Sequence, residues 1–316
     1  MKTDTDGNLE WQQFYDAGGD EHLSSLCAAD GGYLLTGWRE SSSVHNGALW
    51  MVKTNGTGAK QWEQTFDGPG FEYTYGKGCF QTSDGGYIMC GNTGSYGAGA
   101  VDVWVIKTNA SGTMEWNRTY GDTHNDYTWS MTNTSDGDYV IGICKDYGYN
   151  SGTMDDIWIV ELNEDGDTEW SYLIEEAGVQ IPTCIQQTSD SGFIISGRTE
   201  EYGVSSSDGL VVKIGPFPHL DVEITGGLGV KVSITNSGLG DANDVPWKIT
   251  VKGGILGMIN KTKNGTIDIP AGGPQTISTG LFFGFGKITI TARVADKEIP
   301  ATGTILLFFV LGVKVS

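Results

Sequence analysis

The chain has 316 residues, 48 of them glycine and 11% of them aromatic, with a formal net charge of −20. Glycine at about twice its usual share, set between aromatic segments, points to a turn-rich all-β protein. The charge excludes a nucleic-acid ligand, whose phosphates need a basic footprint, and disfavours an anionic membrane surface. The longest apolar run, 305–311, is far short of the ~18 residues a spanning helix needs.

In chain order, the opening Met1-Lys-Thr-Asp-Thr-Asp-Gly7 carries no export signal. A repeat follows. Asp30-Gly-Gly-Tyr33, Asp84-Gly-Gly-Tyr87, Asp136-Gly-Asp-Tyr139 and Asp190-Ser-Gly-Phe193 stand 54, 52 and 54 residues apart. Each is followed by an apolar segment: Leu49-Trp-Met-Val-Lys-Thr54, Val103-Trp-Val-Ile-Lys-Thr108, Ile157-Trp-Ile-Val-Glu-Leu162 and Leu210-Val-Val-Lys-Ile214. A Glu/Gln-Trp pair recurs at Trp11, Trp62, Trp116 and Trp170. Three markers keeping one period make a true internal repeat. Each unit reads as four strands, in the third repeat 127–134, 139–144, 157–162 and 169–172. Asp-Gly and Asn-x-x-Gly connections supply the positive-φ positions of tight turns.

Four-stranded units of about 50 residues are the pattern of a β-propeller. The fourth repeat lacks its last strand, because Pro216 and Pro218 intervene. The N-terminal strand 10–14 is expected to supply it and close a four-bladed ring; a piece of a larger ring is the rival. Composition changes at the same prolines. Residues 1–216 hold 10 Lys/Arg and 32 Asp/Glu, and residues 217–316 hold 9 and 7. The expected domains are therefore a propeller over 1–216 and, over 217–316, an immunoglobulin-like β-sandwich of seven or so short alternating strands. The terminal run 305–315 is expected to be a fully buried last strand, with a membrane anchor or export-sorting tail as the alternative.

Gln81-Thr-Ser-Asp-Gly-Gly-Tyr87, running on to Val103-Trp-Val-Ile-Lys-Thr108, resembles the repeats of secreted archaeal and bacterial surface β-propeller proteins. Ile224-Thr-Gly-Gly-Leu-Gly-Val-Lys-Val232 and Phe282-Phe-Gly-Phe-Gly-Lys-Ile288 resemble the immunoglobulin-like modules fused to them. The resemblance implies architecture and an extracellular or cell-surface location, and assigns no active residues. Gly7, Gly58, Gly112 and Gly166, each four residues before a tryptophan, are similar to the tryptophan-docking motif of quinoprotein propellers, where the rings pack between blades.

Candidate sites fall on the longer connections, 38–48, 92–100, 145–155 and 198–208, which share one face of such a meander. Trp38, Tyr96, Tyr147, Tyr149 and Tyr202, with His45, are the aromatics that would stack on sugar rings or grip a partner. Glu21, Glu72 and Asp126 each open a first strand; if they point into a central channel, a hard cation such as Ca²⁺ would neutralise them. Asp4-Thr-Asp6-Gly7-Asn8 and Asn163-Glu-Asp165-Gly-Asp167 lack the remaining ligands of a calcium loop and read as hairpin turns. Cys27, Cys79, Cys90, Cys144 and Cys184 show no metal-ligand spacing and are expected as buried, unpaired thiols. Asn-x-Ser/Thr triplets at Asn55, Asn109, Asn117, Asn133, Asn260 and Asn264 suit an exported glycoprotein. No His-Glu-x-x-His or Gly-x-Ser-x-Gly occurs, and 94–99 lacks the Lys-Ser/Thr of a phosphate loop.

These residues together point to a non-catalytic extracellular protein whose loop face binds a protein or carbohydrate. The alternatives are a structural surface-layer component and a propeller hydrolase or lyase acting on glycans at the channel mouth.

Overall fold

The computed structural model describes residues 1–41, 44–146, 155–175, 178–200, 207–238, 240–295 and 297–315. The described chain is all-β, its one helical turn being the 3-10 segment Ile255–Gly257. No described helix is long and apolar enough to cross a membrane. The chain divides into two compact units: Met1–Ser189 with Phe193–Ile214, and Gly215–Ser316 with Asp190–Gly192.

In the first unit each sequence repeat forms one antiparallel sheet. The first sheet is Gly19–Ala29, Gly32–Ser41, Val44–Asn55 and Lys60–Phe66. The second joins Tyr87–Thr93, Asp102–Thr108 and Met114–Tyr120 to two short pieces, Glu72–Tyr73 and Cys79–Gln81. The third is Asn125–Asn133, Tyr139–Asp146, Asp156–Leu162 and Thr168–Ile174; the fourth is Val179–Gln187, Phe193–Glu200 and Ser207–Ile214. Their inner strands are tied in sequence: Gly78 N–H to Ser25 Oγ (3.3 Å), Met131 N–H to the Lys77 carbonyl (2.8 Å), and Ile185 N–H to Ser130 Oγ (3.0 Å). Burial is deepest in the second sheet, where every residue of Tyr87–Thr93 and Asp102–Thr108 is buried.

The Gly-x-x-x-Trp pattern has a physical cause. Gly58, Gly112 and Gly166 take φ of 78–82° in their turns, and each lies under the tryptophan of the preceding unit. A Cβ on Gly58 would stand 2.6 Å from Trp11, on Gly112 2.9 Å from Trp62, and on Gly166 2.8 Å from Trp116. The rings of Trp11, Trp62 and Trp170 then lie 5.5–5.8 Å from Tyr33, Tyr87 and Phe193 of the Asp-Gly markers. One sheet thus docks on the next through an aromatic seated on a turn without a side chain.

Two expectations are corrected here. The N-terminal strand does not complete the fourth sheet, which has three described strands. Leu9–Trp11 pairs with Lys2–Thr3, and Trp11 packs on the first sheet as Trp62 packs on the second. The terminal run is not a fully buried strand either. It forms a hairpin of Lys297–Leu307 and Phe309–Val315, in which Ile305 and Val310 are buried while Leu306, Phe309 and Leu311 are about half exposed. Successive strand residues face opposite ways, and the core covers one side.

The second unit sets a three-stranded sheet, Leu220–Thr225, Lys231–Asn236 and Pro274–Ser278, beside a six-stranded one. The latter runs in the order Gly227–Leu228, Phe309–Val315, Lys297–Leu307, Gly284–Val294, Ala242–Gly253 and Ile259–Ile269. Ile224, Val232, Ile234 and Ile277 from the small sheet share one core with Ile249, Val251, Ile288, Ile290 and Ile305 from the large one.

Candidate active site

The acids expected to converge hold their own loops instead. Glu21 accepts the Gly19 and Ala17 N–H groups (3.0 and 3.2 Å). Glu72 accepts Gly68 N–H (3.0 Å) and the Thr93 and Ser95 hydroxyls. Asp126 accepts Asp122 N–H (2.8 Å). In the fourth sheet Gln180 takes the place of the acid and donates to the Gly178 carbonyl (2.6 Å). Among the described residues no three His, Cys, Asp or Glu side chains gather as a metal site.

Trp38 was expected on the binding face and is 8% exposed. It stacks on His22 with ring centroids 4.3 Å apart and meets Phe71 and Tyr75 of the second repeat, so it fills a seam between sheets. Tyr96 is accessible: its ring rests 5.1 Å from Trp104 and its hydroxyl donates to the Asp67 carbonyl (3.1 Å). Tyr147, Tyr149 and Tyr202, and the His45 side chain, lie outside the described residues.

Strand pairing gathers charged groups at the loop end of the third sheet. Asn125 faces Asp146, and Lys145 faces both Asp126 and Asp156. Lys145 Nζ lies 2.7 Å from Asp122 and 4.9 Å from the Trp158 ring centroid. That bond from Lys145 holds the Asp122 carboxyl well below the usual range. Asp126 and Asp102 are buried, each with an Oδ1 lacking a partner, and burial raises both.

Asp155 ends the connection that returns to this strand. Its backbone carbonyl accepts Gln180 N–H (2.8 Å), and its carboxyl is hydrogen-bonded to Asp146. Burial, then the charge and hydrogen bond of Asp146, push it up to about 6; Asp156 and Glu200 add to the rise. Asp155 therefore holds its proton to a higher pH than an ordinary aspartic acid does. That is the electronic arrangement of a general acid near neutrality. Asp146, Asp155 and Glu200 were not singled out in the sequence, where they are three acids among 39.

No protein-family model matches the chain, and no curated protein matches it in sequence. Among solved structures it is similar to a family 32 β-fructofuranosidase from Bombyx mori in complex with sucrose. That match has 12% identity and a TM-score of 0.34, covering 90% of this chain and 74% of the other. It is similar also to an exo-β-1,3-galactanase from Phanerochaete chrysosporium with β-1,3-galactotriose. There the identity is 9% and the TM-score 0.34, covering 91% of this chain and 79% of the other. The expectation of a non-catalytic protein is corrected at this point. Both of these structures are named as enzymes and hold sugars, and that finding stands against the expectation.

Proposed function

We propose that this protein is a glycan-cleaving hydrolase acting through the carboxyls at the loop end of the third sheet. The observation that carries the reading is the raised proton affinity of Asp155, hydrogen-bonded to Asp146. In this reading Asp155 protonates the leaving oxygen of a glycosidic bond and Asp146 holds that proton in place. Glu200, at the end of Phe193–Glu200, is close enough to raise Asp155 and is our choice for the carboxylate that activates water or attacks the sugar. Exposed Tyr96 and Tyr75 offer rings for sugar stacking. The first unit is read as blades of a β-propeller, the second as an immunoglobulin-like module, and the setting as the cell exterior.

The test is release of reducing ends from sucrose, β-1,3-galactans and a wider oligosaccharide panel between pH 4 and 8. Activity is expected to fall as pH rises through about 6, where Asp155 loses its proton. Asp155→Asn should lower kcat by about 100-fold or more, and Glu200→Gln comparably. Wild-type protein inert on the whole panel, or Asp155→Asn retaining full activity, sinks the proposal.

A further inference from the structure

At one end of the second unit, three connections carry apolar side chains into water. The link from Ala242–Gly253 to Ile259–Ile269 holds Ile255, Leu256 and Met258, with Leu256 93% and Met258 82% exposed. Leu256 has φ 56°, a conformation that L side chains rarely adopt, so the backbone is strained where the most exposed apolar group is presented. Gly284–Val294 is entered through exposed Leu281 and Phe283, and the hairpin between Lys297–Leu307 and Phe309–Val315 turns at Phe308. Strand register brings these together, since Gly253 pairs with Ile259 and Gly284 with Leu307. The Phe283 ring lies 5.6 Å from Phe308 and 5.2 Å from Phe285. A Cβ on Gly286 would stand 3.5 Å from Ile255 Cγ1. Single exposed apolar residues need no explanation, but a contiguous set does.

The charges behind this tip have one sign. Segments 245–267, 269–295 and 301–316, which build it, contain no Asp or Glu. Lys252 and Lys287 line a hollow beside Gly253 and Gly312, and Lys261 stands opposite Val251, two pairs in from the end of the strand. The acidity of the chain belongs to residues 1–216; the balance of 217–316 is +2. The expectation that net charge disfavours an anionic membrane therefore does not extend to this unit.

We propose that this tip docks on an anionic lipid bilayer, with Ile255, Leu256, Met258, Phe283 and Phe308 entering the interface and Lys252 and Lys287 meeting headgroups. Projecting apolar loops backed by lysines suit a fluid interface: the side chains enter the acyl boundary while the ammonium groups stay at headgroup level. A protein partner would have to supply a matching acidic, apolar pocket.

Full-length protein is mixed with vesicles of phosphatidylcholine alone, or of phosphatidylcholine with phosphatidylglycerol, and sedimented. Wild type is expected to partition onto the anionic vesicles and far less onto the neutral ones. Leu256→Ser/Met258→Ser, at positions too exposed to matter for folding, should reduce partition at least ten-fold with an unchanged melting curve. Lys252→Gln/Lys287→Gln should lower anionic binding about five-fold per lysine. Absence from both pellets overturns the proposal, as does equal binding to both compositions or binding indifferent to the Leu256/Met258 change. A dimer in sedimentation velocity that the Leu256/Met258 variant dissolves, with no vesicle binding, would assign the tip to a second copy.

Discussion

The Cys79 and Cys27 thiols of neighbouring sheets are hydrogen-bonded to each other, with Ser25 and Thr36 as further partners of Cys79. Ser25 Oγ stands 3.5 Å away. The bond to Cys27 outweighs burial and draws Cys79 below the usual thiol range, while the bond to Cys79, with burial, raises Cys27. Both line a cavity of about 510 Å³ together with Ser130 and Cys184. All five thiols are unpaired as expected, with Cys79, Cys90 and Cys144 buried and Cys27 and Cys184 only partly so; Cys27 and Cys79, 52 residues apart in sequence, meet because adjacent inner strands carry them to one seam. A small neutral reagent such as methyl methanethiosulfonate should modify Cys79 first at pH 7. Cys27→Ala should slow that reaction about ten-fold and move it to higher pH. Equal rates at all five cysteines, read by peptide mass, would contradict the assignment. Asp155 was hidden for the same kind of reason: its partners Asp146 and Glu200 come from other strands, and no spacing marks such a pair.

Among the elements, the strand that ends each apolar marker shows what one substitution does within a repeat. Lys53 Nζ donates to the Asp30 and Thr54 carbonyls (both 2.9 Å), and Lys107 Nζ reaches Asp84 (2.7 Å) and Glu115 (2.8 Å). The third repeat places Glu161 there. Burial, then the charges of Asp136 and Asp138, push its carboxyl up to about 7. A carboxyl with a raised folded pKa binds more protons folded than unfolded. Stability is therefore lost as pH rises from the ordinary carboxyl range to about 7, and is flat above. Glu161→Lys should restore the repeat's ion pairs, remove that slope and add about 1–2 kcal/mol at pH 8, read by urea denaturation at several pH values. An unchanged slope would mean that other groups set it. The sheets themselves were legible because Asp-Gly turns, apolar runs and Glu-Trp strands recur in step. The closing strand was not, because Glu10-Trp11 carries the same marker whether it joins the last sheet or docks on the first. The terminal run was misread because seven apolar residues in a row look the same whether both faces are covered or one.

Across the whole molecule, the division into units was legible in charge, since the change at Pro216 and Pro218 falls beside Ile214, where the first compact unit ends. What composition could not convey is how unevenly burial is shared among four similar repeats. In the second sheet Tyr87–Thr93 and Asp102–Thr108 are buried throughout, and in the third nearly all of Tyr139–Asp146 and Asp156–Leu162 is covered. Cover is thinner in the first and fourth sheets. In Ser207–Ile214 only Ile214 is buried and Val211 is 67% exposed; in Gly19–Ala29, Leu26 is 67% exposed. Amide exchange opens regions with few buried apolar contacts long before the global transition. Strands of the second and third sheets should therefore exchange at least 100-fold more slowly than Ser207–Ile214 and Gly19–Ala29, although all four sheets carry the same sequence markers. Hydrogen–deuterium exchange with peptide mass spectrometry reads this directly, at low protein concentration to avoid self-association. Equal protection across the four sheets would mean that the exposed faces of the first and fourth are covered in solution.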